Sequence, residues 1–252
     1  MRLVRTAEGW GEVEGSQIWV LEGDISQGFS RTSKWSSLDG TTLLAPVMPS
    51  KIVAVAANYP KHATEMGHAV PSEPRLFLKA PSAIVGPGDP IKIPPITERV
   101  DPEGELAIVI GQTLKRATPD SAMKAVFGYT CLNDVTCRDF QKKDGIFGRA
   151  KSFDSFCPVG PWVVTDIDPN HLQVTTSVNG QLRASGNTSE MHFSVTELLV
   201  FISSVMTLLP GDVVSTGTPP GVAPIHSGDM VEIEVEGIGV LRNPVLTRSD
   251  PK

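Results

Sequence analysis

No stretch of this 252-residue sequence is long and apolar enough to predict a membrane span. The longest apolar-rich run, from Leu198 to Leu209, holds twelve residues and includes two serines, whereas a helix needs about 20 residues to cross a bilayer. The first 15 residues also lack the continuous apolar segment of a secretory signal. We therefore expect a soluble cytoplasmic protein with no membrane partner.

Cysteine is scarce, with only Cys131, Cys137 and Cys157 in the chain. Three cysteines cannot all pair with one another, and their spacing does not match that of a zinc site. The pattern predicts reduced thiols, as is usual in a cytosolic protein.

Clusters of positive charge are also missing. The chain has 22 Lys and Arg against 28 Asp and Glu, a formal net charge of −6, and binding by counterion release needs clustered basic residues. A nucleic-acid partner is therefore not expected. The loop from Ser215 to Val222 has the glycines of a phosphate loop but lacks the Gly-Lys-Ser/Thr ending, which argues against nucleotide binding. Its hydroxyls and backbone amides could still hold a substrate carboxylate.

Short strand patterns are frequent. Nearly continuous apolar runs of strand length, and an alternation of apolar residues with glutamates near residue 233, indicate buried and half-buried strands respectively. Asn179-Gly180 supplies the positive φ angles of a tight hairpin turn. The strands so predicted are Ile52 to Ala57, Leu106 to Ile110, a strand opening at Val213-Val214, Val174 to Val178, and Val231 to Val235.

Helix signals are fewer. Thr118-Pro119-Asp120 has the hydroxyl cap, proline and acid of a helix start. Ser194 to Glu197 has the form of a capping box, opening a helix that carries Leu198, Phe201, Val205 and Leu208 and that Pro210-Gly211 is predicted to end. We predict a mainly β protein with a few helices (α+β), divided into a small β-rich N-terminal region (residues 1–47) and a main domain (residues 48–252). The many prolines and glycines leave long loops that can carry a site.

An acidic group stands out. Glu103 and Glu105 are two residues apart before an apolar strand, so on an extended backbone their carboxylates share a face. Asp134 follows the apolar stretch from Phe127 to Leu132. Half-buried carboxylates this close need a cation or a proton between them, and three of them would select a hard cation such as Mg²⁺ or Mn²⁺. The alternative is that the two glutamates mark a solvated strand start.

A possible general base lies after the first buried strand. His62 and Glu65 are three residues apart, and on one helical turn the carboxylate would orient the imidazole and raise its basicity. The alternative is a surface turn with an incidental pair. Lys151 precedes the apolar stretch around Phe153 and could either stabilise an oxyanion or be an ordinary surface lysine.

In their residues and in their order along the chain, several segments between about Lys51 and Val245 resemble the fumarylacetoacetate hydrolase family. They are NYPKHATEMG, PRLFLKAPSAIVGPGDPI, DPEGELAIVIG, GYTCLNDVTCRDFQ, RAKSFDSFCPVGPWVV and STGTPPGV. The resemblance implies a mixed β-roll main domain and a homodimer.

The resemblance also implies roles for particular residues. Glu103, Glu105 and Asp134 are implied to be the metal ligands, His62 and Glu65 the base pair on a mobile lid, and Lys151 the oxyanion support. The implied substrate contacts are Gln141 and Thr218, with Arg138 and Lys79 as either substrate or structural contacts. This chain departs from the family pattern at Gly104 and Phe147, and both departures are expected to affect lid packing and pocket shape.

The function predicted on this basis is Mg²⁺-dependent hydrolysis of a C–C bond in an acylpyruvate-like 2-oxo acid, in the catabolism of aromatic or other small carbon compounds, with Mn²⁺ also possible. The same residues could instead isomerise or decarboxylate a 2-oxo or 2-hydroxymuconate-type dicarboxylic acid, including oxaloacetate. A further alternative is a non-catalytic member that binds metal and keto acid.

Overall fold

A computed structural model describes residues 1–248; the remaining four residues of the predicted main domain lie outside the described part. The strands are β1 (Arg2–Thr6), β2 (Gly9–Glu14), β3 (Gln17–Asp24), β4 (Gly28–Ser37), β5 (Ile52–Ala56), β6 (Arg75–Lys79), β7 (Ile84–Val85), β8 (Ile91–Ile93), β9 (Val100–Asp101), β10 (Gly104–Ile110), β11 (Val126–Asn133), β12 (Thr136–Cys137), β13 (Cys157–Val164), β14 (Gln173–Val178), β15 (Gln181–Asn187), β16 (Val213–Ser215), β17 (Met230–Val235) and β18 (Gly239–Thr247). The helices are α1 (Pro60–Glu65), α2 (Pro119–Lys124), α3 (Arg138–Asp144) and α4 (Val195–Val205), with short 3₁₀ turns at Pro81–Ala83, Pro169–His171 and Thr188–Glu190. The prediction of a mainly β chain with a few helices is confirmed.

Two sheets form the body of the protein. The larger has the strand order β4-β3-β2-β1-β13-β11-β10-β16-β5-β6, with β7 pairing β13, and the smaller has the order β15-β14-β17-β18-β8. The strand β1 pairs with β13 through Leu3 and Val163, so residues 1–47 share the large sheet with the rest of the chain. The division between residues 47 and 48 stays a prediction.

The main core lies between the two sheets and under α4. Along β10, Leu106, Ile108 and Ile110 belong to this core, together with Val231 and Ile233 of β17. The alternate residues of β10, Ala107 and Val109, face a second apolar cluster on the other side of the sheet. Because a strand turns successive side chains to opposite faces, β10, the strand that contains Glu105, is buried on both sides.

Most local predictions are confirmed. Thr118 accepts a hydrogen bond from the Ser121 amide, Ser194 and Glu197 form the predicted capping box, and Asn179 and Gly180 both have positive φ angles. One prediction needs correction, and one helix was missed. Helix α4 ends at Val205, before Pro210, because Leu208 exchanges backbone hydrogen bonds with Leu114 and leaves the helix. The helix α3 was not predicted.

The three cysteines are buried and unpaired. Burial raises the pKa of Cys131 and Cys157 to about 12, so neither thiol is poised as a nucleophile. None of the helices within residues 1–248 has the length and apolar character that crossing a bilayer requires.

Candidate active site

Five neighbouring strands bring their ends together at one edge of the large sheet. The strands β5 and β16 run parallel and both end there, while β10, antiparallel to β16, begins there. The strand β11 ends beside the start of β10, and β6 begins beside the end of β5. Segments that are far apart in sequence therefore meet in one cavity, lined among others by the residues Val55, His62, Phe77, Glu103, Glu105, Asp134, Arg138, Gln141, Phe147, Lys151 and Thr218.

The acidic group forms one compact cluster. Glu103, Glu105 and Asp134 are each at most 4% exposed, and one carboxylate oxygen from each lies within 4.8 Å of the others. The backbone holds the cluster together, because the Asp134 amide donates to the Glu103 carbonyl at 2.8 Å. The prediction that these carboxylates lie side by side is confirmed, and the alternative of a solvated strand start is wrong.

Glu105 is held at the base of the cluster by neutral donors. Its carboxylate accepts hydrogen bonds from the Ser215 hydroxyl and from the Gly217 amide, the latter at 2.7 Å. Within residues 1–248, no basic side chain lies within 4.0 Å of it. Burial and the neighbouring charge of Asp134 raise its pKa to about 8.

Glu103, unlike Glu105, is contacted by two basic side chains. It accepts from Lys151 Nζ at 2.6 Å and from Arg138 Nη2 at 2.5 Å. Burial alone would raise the pKa of Glu103, but the charges of Arg138 and Lys151 outweigh burial and hold that pKa well below its usual value. Glu103 is therefore ionised at neutral pH.

Three buried carboxylates that converge on one point fit a divalent cation. They offer only oxygen ligands, which hard cations prefer, and Glu105 is a buried carboxylate without an ion-pair partner in the described chain, which a bound cation would stabilise in its charged form. The residues at this site can therefore hold an ion, as the acidic pattern predicts.

Two lysines support the cluster from the side. Lys79 is fully buried and donates to Asp134 at 2.6 Å and to the Lys151 carbonyl. Lys151 Nζ also binds Asp134 and lies 5.0 Å from the centre of the Phe77 ring. Lys79 was predicted to be either a substrate contact or a structural contact. Because it is buried and bound to Asp134, the geometry favours the structural role. Lys151 lines the cavity, and two of its three N–H donors are used by Glu103 and Asp134, so one remains for a substrate.

His62 and Glu65 form the predicted pair on α1. His62 Nδ1 lies 3.1 Å from a Glu65 oxygen. In the neutral imidazole this contact favours the tautomer that carries its proton on Nδ1, and Nε2 then has a lone pair. Nε2 lies 3.9 Å from a Glu103 oxygen and faces the acidic cluster. The prediction that the two side chains contact each other is confirmed.

Glu65 is itself anchored across the cavity mouth. Both of its oxygens accept from the Gly221 amide, at 3.2 and 3.1 Å. Gly221 has a φ of +109°, and a Cβ there would lie 2.3 Å from the Arg183 carbonyl oxygen. Gly221 therefore positions the base pair through its backbone, and only glycine fits the position.

Replacing Gly221 by alanine should lower kcat by roughly 10-fold, because the displaced loop would no longer fix Glu65 and hence His62. The kcat and its pH profile should both change. The matched control is Gly228→Ala, since Gly228 also has a positive φ but no atom within 4 Å of an added Cβ. An effect of Gly221→Ala that stays undiminished in a Glu65→Gln background would contradict this role.

The remaining predicted substrate residues line the same cavity. Gln141 accepts from Arg138 Nη1 at 3.0 Å, and Thr218 donates to the Gly104 carbonyl at 3.0 Å. Arg138 is already paired with two carboxylates, since it donates to the buried Asp101 at 2.8 Å as well as to Glu103. Substrate contact at Gln141 and Thr218 stays a prediction.

The expectation for Gly104 is wrong. An added Cβ would lie 2.4 Å from the Thr176 hydroxyl and 2.9 Å from the Ile233 side chain, in the core between the sheets. Gly104 therefore faces away from the cavity, as the alternation of β10 requires, and it allows the sheets to approach closely. Phe147 does line the cavity, with its ring 5.0 Å from that of Phe77.

Sequence reasoning missed several residues of the site. Asn58 is buried, and its amide group links the Thr216 and Phe193 backbones behind α1. Arg75 and Phe77 line the cavity from β6. The alternation in Arg75-Leu76-Phe77-Leu78-Lys79 could have revealed them, because it places an Arg, a Phe and a Lys on one face.

Comparison with known proteins finds relatives and similar structures over most of the chain. A family model described as "Fumarylacetoacetate (FAA) hydrolase C-terminal" matches residues 51–246. An uncharacterised protein of Methanocaldococcus jannaschii is 53% identical over 199 residues, which are 79% of this chain and 84% of that protein. A bovine mitochondrial oxaloacetate tautomerase is 44% identical over 220 residues, which are 81% of this chain and 69% of that protein. The crystal structure of a 5-carboxymethyl-2-hydroxymuconate delta-isomerase from Mycobacterium smegmatis has a TM-score of 0.91 and 43% identity, over 98% of this chain and all of that one.

Proposed function

This chain belongs to the fumarylacetoacetate hydrolase family, and from that premise we propose that it is a divalent-cation-dependent isomerase or tautomerase of a 2-oxo acid. The observation that carries the proposal is the position of His62, whose free Nε2 faces the Glu103 carboxylate of the acidic cluster across 3.9 Å. A base beside a cation site can move a proton next to a carbonyl that the cation polarises. The names of the bovine relative and of the M. smegmatis neighbour support tautomerisation or isomerisation over the hydrolysis expected from the sequence.

The proposed cation is Mg²⁺, with Mn²⁺ as an alternative, and its ligands would be Glu103, Glu105 and Asp134. When bound, it would supply a Lewis acid for the 1-carboxylate and 2-oxo groups of the substrate. The choice of an oxygen-binding cation rests on the all-carboxylate donor set.

The chain's own residues would carry the proton transfer. His62 Nε2 would take a proton from the carbon next to the 2-oxo group, and Glu65, bonded to Nδ1, would stabilise the imidazolium that forms. The remaining N–H donor of Lys151 would stabilise the negative charge that develops on the 2-oxo oxygen. Return of the proton to the oxygen of the resulting enolate gives the enol. Where a neighbouring double bond extends the enolate to a dienolate, return of the proton to the more distant carbon gives the isomer.

Hydrolysis of an acylpyruvate is the second candidate. Glu65 is 36% exposed at the mouth of the cavity, so water can approach the His62–Glu65 pair, which would then activate it for attack on the distal carbonyl. Decarboxylation of oxaloacetate would use the same residues. The homodimer, the cytoplasmic location and a catabolic role also stay predictions.

An ultraviolet assay with Mg²⁺ separates these reactions. The purified chain should accelerate the keto–enol exchange of oxaloacetate or the isomerisation of a 2-hydroxymuconate-type diene, and EDTA or Glu103→Ala should abolish the acceleration. Cleavage of acylpyruvates alone would establish the hydrolase instead. Turnover of none of these compounds would favour a non-catalytic keto-acid-binding protein.

A further inference from the structure

A wider cavity opens outside the catalytic one and is rich in positive charge. It has a volume of about 600 Å³ and shares several lining residues with the inner cavity. Its wall carries four permanently basic side chains against one acidic side chain, Glu65. The basic residues are Arg75, Arg99, Arg138 and Lys142. The approach to the site therefore favours an anion.

The charged groups of this wall differ in whether they are already paired. Arg99 makes a two-point contact with Asp101, Arg138 binds Asp101 and Glu103, and Glu65 is held by His62 and Gly221. Arg75 has no carboxylate within 4.0 Å among residues 1–248, and neither does Lys142. Of these two, Arg75 alone lines both the inner and the outer cavity.

The geometry of β6 sets the direction of Arg75. Ala54 and Ala56 of β5 pair with Phe77 and Arg75, so these two side chains point to the same face of the sheet as Lys79. Along this face the residues go from fully buried Lys79, which binds Asp134, through Phe77 beside the Lys151 ammonium, to exposed Arg75 at the mouth. One strand step of two residues, about 6.7 Å, separates Arg75 from Phe77.

We propose that Arg75 binds the distal carboxylate of a 2-oxo dicarboxylic acid whose 2-oxo acid end lies at the acidic cluster. The inference rests on the proposed function, because that function places the 2-oxo acid end. An unpaired guanidinium can bind a carboxylate through two parallel hydrogen bonds. Arg99 and Arg138 already donate N–H groups to Asp101, so they cannot use those groups to bind a substrate carboxylate. Arg75 thus makes this chain selective for diacids over monoacids of equal length.

Calorimetric titration of the Mg²⁺-loaded chain with two matched probes tests the assignment without requiring turnover. 2-Oxoglutarate and 2-oxopentanoate share the 2-oxo acid end and differ in whether the far end is a carboxylate or a methyl group. We expect 2-oxoglutarate to bind about 10- to 100-fold more tightly, as one charge-assisted contact provides. Arg75→Gln should remove this preference, and Arg75→Lys should restore part of it. Lys143→Gln, an exposed charge that lines neither cavity, should leave it intact.

The outcomes separate the inference from the function on which it rests. Equal binding of the two probes to the unaltered chain, or a preference that survives in Arg75→Gln, would overturn the role of Arg75 while leaving the proposed function in place. Binding of neither probe would overturn the proposed function and this inference with it. Loss of 2-oxopentanoate affinity in Arg75→Gln would also count against the assignment, because that probe has no distal carboxylate.

Discussion

Replacing His62 by alanine should lower kcat by roughly 10²- to 10⁴-fold, the range that a positioned general base contributes. The imidazole is the base in the proposed proton transfer, and Nε2 is its free nitrogen because Glu65 occupies the side of Nδ1. Metal affinity should be unchanged, since the three proposed ligands are carboxylates. The measurement is steady-state turnover of the best substrate, together with a calorimetric titration of Mn²⁺ or Mg²⁺.

The control for this variant is His171→Ala, because His171 is exposed and lies away from the cavity. Glu65→Gln should lower kcat less than His62→Ala and should shift the pH profile, since it weakens the orientation and basicity of the imidazole without removing it. A fall in metal affinity that matches the fall in kcat would show that His62 acts through the cation site and would contradict its role as the base.

Replacing Asp134 by asparagine should lower the free energy of unfolding by about 3–5 kcal/mol, the cost of leaving a buried cation without its partner. Asp134 is bound by Lys79 and Lys151, and neither ammonium has significant exposure. Because the asparagine side chain carries no charge, Lys79 and Lys151 would each lose a buried counter-ion. The same variant should lose cation binding. Denaturant unfolding in EDTA measures the first effect without a contribution from bound metal.

Two further variants keep this prediction testable if the single variant does not fold. Asp144→Asn removes a carboxylate that binds exposed Arg149 at the surface, and its unfolding midpoint should not change measurably, because exposed pairs contribute little. Lys79→Met combined with Asp134→Asn should recover much of the lost stability, since an apolar chain then replaces the orphaned cation. An Asp134→Asn protein as stable as the unaltered chain would contradict the buried network.

Features governed by near neighbours in the chain were predictable. Glu103 and Glu105 lie together because side chains two apart share a face of an extended backbone, and His62 meets Glu65 because three residues make about one helical turn. The cap of Ser194 on α4 is equally local. The end of α4 was missed because it depends on Leu114, a residue about 90 positions away with which Leu208 pairs.

The features set by strand order and register were not predictable. The alternation of β10 alone turns Gly104 away from Glu103 and Glu105, but only the fold shows what an added Cβ would meet there: Ile233 of the opposite sheet, more than 100 residues later in the chain. The partnership of Lys79 with Asp134 and the anchoring of Glu65 by Gly221 join residues 55 and 156 positions apart. No spacing rule reaches across such distances, because the partner is chosen by which strands lie side by side.

The sequence by itself determined the inventory of this site: an acidic pair before a buried strand, a third carboxylate, a histidine with its glutamate, and the motifs that place the chain in its family. Only the tertiary structure decided how these groups are charged and which residues face them. Burial without a basic partner sets Glu105 apart from Glu103, and the alternation of β6 beside β5 turns Arg75 into the cavity. The charge difference needs the folded chain because desolvation and Coulomb energy depend on distances that exist only once the five strand ends have met. The environment of Arg75 needs it because the cavity that Arg75 lines is built from segments far apart in the chain.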